Sequence, residues 1–367
     1  MENTKHTLYW VWLASIQGMT ARRFYRMVDR FEDALGVWEH ASADCEDFMD
    51  TAGPLADTII AHRNEPCVET LFADMQKIGC RALPMFDNEY PKLLREISDP
   101  PPVLFVKGGR IDYPRAISVV GSRRFDRVGE DTAVKIGQEL SDAGICVVSG
   151  MAEGIDSCAH NGALKGKTPT VAVFGCGVDV IYPRYNQELY ARILDQNGAI
   201  VSEYPPKTGV ARAHFPVRNR IISGMSRAVV VVQAPQKSGA MITVRHALEQ
   251  GRDVFSVPGS ILSRYYEGTN QLLKEGAFLY TQLCDILGEY GWEDIQQPDS
   301  AVDSAPFELN DGEKLVYSIL EKGEYTYEEL IIHTNMDAQT LSPLLSHMEL
   351  KGLIIRSAGN IFGIMHR

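Results

Sequence analysis

Between residues 115 and 290 the chain alternates short, uninterrupted apolar runs with longer stretches of helical periodicity, and this restricts the fold more than any other feature. The runs are Ala116–Val120, Cys146–Ser149, Thr170–Phe174, Ala199–Glu203, Ala228–Gln233, Asp253–Val257 and Phe278–Thr281. Most are rich in Val or Ile, and several lead directly into Gly and a helical period. A strand with one face in water alternates apolar and polar side chains, whereas a continuous apolar run is buried on both faces, as in a parallel sheet between two layers of helices. Right-handed crossovers wind such units into an α/β fold with an extended, doubly wound, Rossmann-like parallel sheet. Ligands of these sheets sit beyond the carboxyl ends of the strands, so the loops after the strands are where a site is expected.

The flanks differ in kind. At about 150 residues per domain, 367 residues make two or three units. Residues 1–75 read as a small all-α module: Leu8, Trp12 and Ile16 form one stripe, and Phe24, Val28 and Phe31 continue it after Gln17-Gly18-Met19-Thr20. A tight Gly turn before a basic helix (Arg22, Arg23, Arg26) has the outline of a helix-hairpin-helix, but Thr20 stands where a second Gly belongs, and simple packing explains the pattern better. Residues 76–114 are a Pro-rich connector leading into the sheet, with Val103–Lys107 as a strand. Residues 291–307 read as a linker. In 308–367, three short helical patterns and a hairpin around Ser357-Ala358-Gly359-Asn360 predict a winged-helix-like domain. That tail holds nine acids against five bases, and its recognition-helix segment, Ala338–Glu349, has no Lys or Arg, so it is expected to be a protein-contact or structural module rather than a DNA reader.

Net charge is −12, which by itself argues against nucleic acid as a partner. The distribution says otherwise. From Tyr204 to Leu248 there is no Asp or Glu, but there are Lys207, Arg212, Arg218, Arg220, Arg227, Lys237 and Arg245, a local +7 that leaves −19 on the other 322 residues. Such a segment suits an anion. The seven cysteines form no C-x2-C pair, so neither a zinc site nor a disulfide framework is expected, and free thiols in a reducing cytosol fit better. The longest apolar run, Leu8–Ala14, is far short of the ~18–20 residues of a membrane span and reads as a core helix rather than a signal peptide. No cofactor, metal or membrane partner is expected, and the cytoplasm is the expected location.

Gly162-Ala163-Leu164-Lys165-Gly166-Lys167-Thr168 is not a P-loop, because it is one residue short between its glycines and precedes a strand instead of following one. Gly175-Cys176-Gly177 lacks the third glycine of a dinucleotide fingerprint, since position 180 is Val. The strand-end loops are more informative together: Gly121-Ser122-Arg123-Arg124, then Ser149-Gly150, then Phe215-Pro216-Val217-Arg218-Asn219-Arg220, then Lys237-Ser238-Gly239 with Thr243. Glycines let backbone amides approach phosphates, hydroxyls add donors, and Arg123, Arg218, Arg220 and Lys237 are the expected phosphate ligands. Phe215 or Tyr204 offers a stacking surface for a base. Arg124, Ser149 and Asn219 complete the candidate set. Asp156 and His160 lie one helical turn apart and are expected to be a local surface pair, with Ser149 not a nucleophile.

In this order the loops resemble the DNA-processing protein A family (DprA, also called Smf). The matching stretches include Tyr90-Pro91, Asp99-Pro100-Pro101, Val120-Gly121-Ser122-Arg123, Val148-Ser149-Gly150, Gly154-Ile155-Asp156, Tyr182-Pro183, Ser202-Glu203-Tyr204-Pro205-Pro206, Phe215-Pro216, Arg218-Asn219-Arg220, Ser238-Gly239, Ile242-Thr243, Val257-Pro258-Gly259 and Gly268-Thr269-Asn270. The resemblance implies a non-catalytic recombination mediator that binds single-stranded DNA on the Rossmann-like domain, forms a homodimer and helps load RecA in natural transformation. Leu262, Leu272 and Leu273 are the expected dimer residues. Glu153 departs from the basic residue many relatives carry there. Two other readings stand beside this one: a protein-interaction scaffold, and a nucleotide-binding enzyme related to the phosphoribohydrolases. For the latter, the stretch after Ser238 lacks a carboxylate at the required spacing, and Glu249 comes too late.

Overall fold

The computed structural model describes residues 2–292, 310–351, 353–357 and 360–364. The linker expected at 291–307 falls outside them from residue 293 onward, as do Ala358 and Gly359 of the expected hairpin turn. The chain divides into two compact units near residue 298.

Six helices open the first unit: α1 (Glu2–Ala14), α2 (Ala21–Arg30), α3 (Ala34–His40), α4 (Glu46–Ala52), α5 (Ala56–His62) and α6 (Glu65–Lys77). Thr20 caps α2 by accepting from Arg23 N, so the residue that breaks the hairpin pattern serves to start a helix. The module does not end in a core of its own. Trp10, Phe24, Met27 and Phe48 belong to one buried cluster with Phe105, Ala172, Phe174 and Ile200 of the sheet.

Nine strands form that sheet: β1 (Cys80–Pro84), β2 (Val103–Gly108), β3 (Ala116–Val120), β4 (Cys146–Ser149), β5 (Val171–Phe174), β6 (Ala199–Ser202), β7 (Ala228–Val231), β8 (Asp253–Ser256) and β9 (Phe278–Leu279). Their order is β1-β2-β6-β5-β4-β3-β7-β8-β9. Every residue of β3 through β7 is buried, as continuous apolarity requires. Only β2 runs against the rest, pairing antiparallel with both β1 and β6. The fold is therefore the expected doubly wound α/β sheet, extended by a hairpin at one edge. The sequence reading missed β1, because Cys80-Arg81-Ala82-Leu83-Pro84 is short, interrupted by Arg81 and ends in Pro, as an edge strand can.

Helices α7 (Lys92–Arg95), α8 (Arg127–Asp142), α9 (Ile155–Ala163), α10 (Gln187–Asp195), α11 (His214–Gly224), α12 (Ala240–Glu249), α13 (Glu267–Lys274) and α14 (Leu283–Tyr290) make the connections. Strands β3 to β6 are laid down in one direction; the chain then returns to the other side of β3 to form β7, so crossovers leave β3 and β7 in opposite directions. This is the switch point of the sheet, and a crevice opens above it. Helices α8 and α9 pack backbone to backbone, because a Cβ on Gly162 would lie 2.0 Å from Val134 O and one on Gly137 2.2 Å from Ala159 O.

In the second unit α15 (Asp311–Leu320), β10 (Tyr325–Thr326), α16 (Tyr327–Thr334), α17 (Ala338–Leu350), β11 (Ile354–Ser357) and β12 (Ile361–Ile364) build a winged helix. Val316, Leu320, Leu330, Leu341, Leu345 and Phe362 form its core. Fully buried Glu313 closes the capping box of α15 and accepts from Lys351 Nζ at 2.7 Å, tying the first helix to the end of the third.

One buried charge in the first unit is structural. Arg220 of α11 donates to Glu203 through Nη2 and pairs through Nε with Asp99 at 3.2 Å. It fixes α11 to the end of β6 and to the connector. The expectation that Arg220 contacts phosphate gives way here, since its guanidinium is committed to two carboxylates. Removing it leaves the buried Glu203 unpaired, so Arg220→Ala is expected to lose about 3–5 kcal/mol of stability in urea unfolding. A loss below about 1 kcal/mol, the range of exposed pairs, is the contrary result. Gly162→Ala gains ~1 kcal/mol of helix propensity but must push α8 and α9 apart. A net loss of about 1–3 kcal/mol with unchanged far-ultraviolet circular dichroism is expected; a rise in stability would show the helices free to separate.

Candidate functional site

A cleft of about 820 Å³ lies at the switch point, over the carboxyl ends of β3 and β7. Most of the lining comes from four groups of residues. Gly121, Ser122, Arg123 and Arg124 follow β3, and Asp156 enters from the start of α9. Phe215, Arg218 and Asn219 come from α11. Lys237, Ser238, Gly239, Ile242 and Thr243 come from the loop after β7 and the first turns of α12.

Close approach explains the glycines. A Cβ on Gly121 would sit 2.7 Å from Ile155 Cγ1, and one on Gly154 would meet Ser122 O at 2.4 Å. Gly154 also has a φ of +93°, which glycine adopts at little cost. The loops after β3 and β4 are thus pressed together, with Ile155 N donating to Ser122 O at 3.2 Å. Ser122 Oγ accepts from Arg124 N at 3.0 Å, and Ser122 N donates to Gln233 O at 2.7 Å, so the β3 loop is also held against the end of β7.

Arg218 is buried on the cleft floor. Its Nη1 donates to Gly150 O at 2.8 Å and to Val173 O, and Nε to Asn219 Oδ1 at 3.3 Å. Burial lowers its pKa to about 10, opposed by the charge of Asp156, and it stays a cation at neutral pH. Phe215 packs 5.9 Å from Arg218 and 6.0 Å from Arg123, with Tyr182 5.4 Å away on its other side. Tyr204 is instead stacked on His214 at 4.0 Å and is absent from the lining.

Eleven of the fourteen expected residues meet here: Gly121, Ser122, Arg123, Arg124, Phe215, Arg218, Asn219, Lys237, Ser238, Gly239 and Thr243. Ser149 is wholly buried and donates to Val119 O at 2.6 Å. Gly150 lies beneath the floor, its carbonyl holding Arg218, and Arg220 is spent on the ion pairs above. The lining also includes Tyr182, Arg212, Arg264 and Tyr265, which sequence reasoning left out of the site. Arg264 and Tyr265 follow β8, so the strand-end rule reaches them when carried one loop further. Only Arg212, Arg218 and Lys237 of the acid-free +7 segment reach the cleft. Lys207 pairs with Asp74, and Arg227 lies over Tyr290.

The expected surface pair of Asp156 and His160 is overturned, since both are buried. His160 sits under the sheet, 2.8 Å from Thr170 Oγ1, and burial lowers its pKa to about 3. Asp156 lines the cleft. Burial raises its pKa to about 6, with Arg218 and the N–H groups of Ala152, Gly150 and Gly121 pulling the other way. Of the three expected dimer residues, Leu262 is 93% exposed, but Leu272 is a core residue packed with Val229, Val231 and Val254. It therefore cannot serve as a surface contact. Ile261, next to Leu262, is as exposed, and the sequence reading passed over it.

The lining carries six cations, Arg123, Arg124, Arg212, Arg218, Lys237 and Arg264, against one carboxylate, Asp156. A lining of this charge suits an anion. Because the native Asp156 holds its proton up to about pH 6 whereas a free carboxyl releases it near 3.8, the native state binds more protons across that window. Stability contributed by this group therefore falls as pH rises through it. In urea titrations from about pH 4 to 6, Asp156→Asn is expected to lack that part of the decline, and parallel curves for the two proteins would contradict the assignment.

With this geometry in place, the comparisons are consistent with one another. Residues 81–291 match the family model described as DNA recombination-mediator protein A, and residues 300–360 match the DprA winged-helix domain. The chain is 35% identical to Protein Smf of Synechocystis sp. over 289 residues, 77% of this chain and 72% of that one. It is 39% identical to DNA processing protein DprA of Bacillus subtilis over 233 residues, 63% and 78% of the two chains. Among solved structures, DNA processing protein A of Streptococcus pneumoniae superposes with a TM-score of 0.65 at 34% identity, covering 77% of this chain and 97% of that one. The Helicobacter pylori protein, solved for its single-stranded DNA binding mode, gives 0.52 at 28% identity, covering 58% and 96%. The chain belongs to the DNA recombination-mediator protein A family.

Proposed function

We propose that the chain binds single-stranded DNA in the switch-point cleft and acts as a non-catalytic recombination mediator that passes the strand to RecA. The observation that carries this reading is the excess of five positive charges lining a cleft of about 820 Å³ with Phe215, Tyr182 and Tyr265 beside them. Phosphates need cations and amides; unpaired bases need aromatic faces, and a single strand offers both together. A Helicobacter pylori relative is described as binding single-stranded DNA. A phosphoribohydrolase-like reading asks for a carboxylate on the helix after the Ser238-Gly239 loop. The α12 residues that line the cleft are Ala240, Ile242 and Thr243, which supply none.

A homodimer is part of the same proposal. Its support is the apolar surface of Ile261 and Leu262, with Phe278 and Leu279 exposed on edge strand β9. Apolar side chains that stand almost wholly in water at the end of a sheet favour a covering surface, and a second copy offers a matching one.

The test is binding to fluorescent oligonucleotides, single- and double-stranded, across a salt series. Each phosphate contact contributes ~0.7 to the slope of log affinity against log salt for single strands. Arg123→Ala and Lys237→Ala are each expected to flatten that slope by about 0.7 and to weaken all sequences alike, with unfolding curves unchanged because both side chains are exposed. A slope identical to wild type, or equal affinity for duplex and single strand, would sink the assignment.

A further inference from the structure

The floor of the cleft differs from its rim. Arg123, Arg124, Arg212, Lys237 and Arg264 are exposed around the opening. Beneath them Ser122, Asp156, Arg218 and Thr243 also line the cleft, although each is buried. Arg218 uses Nη1 and Nε on the carbonyl and amide oxygens described above, and Nη2 has no hydrogen-bond partner among the described residues. Thr243, near the start of α12, makes no side-chain hydrogen bond among them either. Arg218 Nη2 and Asp156 Oδ2 both close on Gly150, where a Cβ would lie 2.6 Å and 2.7 Å from them. Glycine at 150 therefore lets a cation and a carboxylate come together at the bottom of the cleft.

An internal phosphodiester fits this buried floor poorly. It is joined to a sugar on both sides, so it cannot descend without dragging two nucleosides with it. It also has no proton, and its oxygens would face the Asp156 carboxylate acceptor to acceptor. A phosphomonoester at the end of a strand hangs from one sugar and reaches deeper. It carries about −1.5 to −2 charges at neutral pH, and its singly protonated form keeps one O–H. That O–H can donate to Asp156 while Arg218 Nη2 and Thr243 Oγ1 donate to the remaining oxygens. Burial brings the Asp156 carboxyl to about 6, close to the second ionisation of a phosphomonoester at ~6, so the two groups share a proton readily.

From this geometry we propose that Asp156, Arg218 and Thr243 form a site for the terminal phosphomonoester of a nucleotide, so that the cleft seats the phosphorylated end of a strand in preference to its interior. The inference rests on the strand-binding reading above. It adds end specificity, and with it a reason for a buried carboxylate in a site otherwise built of cations.

The experiment uses the full chain and one internally labelled oligothymidylate in four forms: 5′-phosphorylated, 3′-phosphorylated, hydroxyl at both ends, and ligated into a circle. Thymidine monophosphate serves as competitor. One phosphorylated form is expected to bind at least about tenfold more tightly than the hydroxyl form and the circle, the worth of one charge-assisted contact. In Asp156→Asn the ratio of phosphorylated to hydroxyl affinity is expected to fall toward one, and Thr243→Val gives the same readout should the first variant fold poorly. Equal affinity for all four forms in the wild type overturns the end site and leaves strand binding standing. Failure to bind any strand overturns the strand-binding reading itself. Binding of thymidine monophosphate alone in that case keeps the phosphomonoester site but makes the free nucleotide its source.

Discussion

The cleft exists because the chain reverses direction between β6 and β7. Strands β3 and β7 lie side by side, yet the segments leaving them diverge, one toward α8 and the other toward α12. Above the pair no crossover covers the strand ends, and the loops after β3 and β7 form the two walls. The ladder between the strands continues past their ends, with Val232 N donating to Val120 O at 3.1 Å and Ser122 N to Gln233 O at 2.7 Å. The walls are therefore set by sheet hydrogen bonds rather than by flexible loop contacts. Any anion held here meets a surface organised before it arrives, which lowers the ordering cost of binding.

The same loops bring a guanidinium below the surface. Burying Arg218 among apolar strands costs desolvation that ion pairing alone seldom offsets. Gly150 O, Val173 O and Asn219 Oδ1 each accept from it, and these neutral dipoles solvate the charge without cancelling it. Arg220, two residues along the same helix, shows the opposite solution: Glu203 and Asp99 neutralise it, and it plays no part in the cleft. Helix α11 thus presents one arginine whose positive field remains available to a ligand and uses another to fix its own position. The cation held only by neutral acceptors stands on a helix anchored by the cation paired with carboxylates.

The sequence showed the sheet almost residue by residue, because burial on two faces leaves an unmistakable apolar run; β3, β4 and β8 begin where those runs begin. It did not show β1, whose five residues are broken by Arg81 and end in Pro. For the site, glycine-rich strand ends and their basic residues were legible because strand order fixes where such loops converge. Burial was not legible. Arg218 and Arg220 carry the same charge two positions apart, and only the tertiary contacts of β6 and the connector separate cleft floor from brace. Asp156 and His160 looked like one exposed turn because i and i+4 share a face, and nothing in the local pattern says that this face meets the sheet. Leu272 similarly reads as apolar in a polar helix, and its packing against Val229, Val231 and Val254 decides that it faces inward.

On the strand-binding proposal, charge distribution explains how an acidic protein can serve a polyanion. With −12 overall, the acidic surface outside the cleft repels a strand that comes close, whereas the cationic lining of the cleft attracts it. At physiological ionic strength the screening length is about 8 Å, so a strand more than that distance from an acidic patch hardly feels it. A phosphate inside the cleft lies within reach of several cations in a partly desolvated recess where screening is weakest. Repulsion from the rest of the surface suppresses adsorption outside the cleft, as a uniformly basic protein could not. The acid-free segment from Tyr204 to Leu248 contributes in two ways: by the three cations it places in the lining, and by the carboxylates it withholds from the neighbourhood of α11 and α12. The preference for one groove that the proposal requires follows from that placement rather than from the net charge.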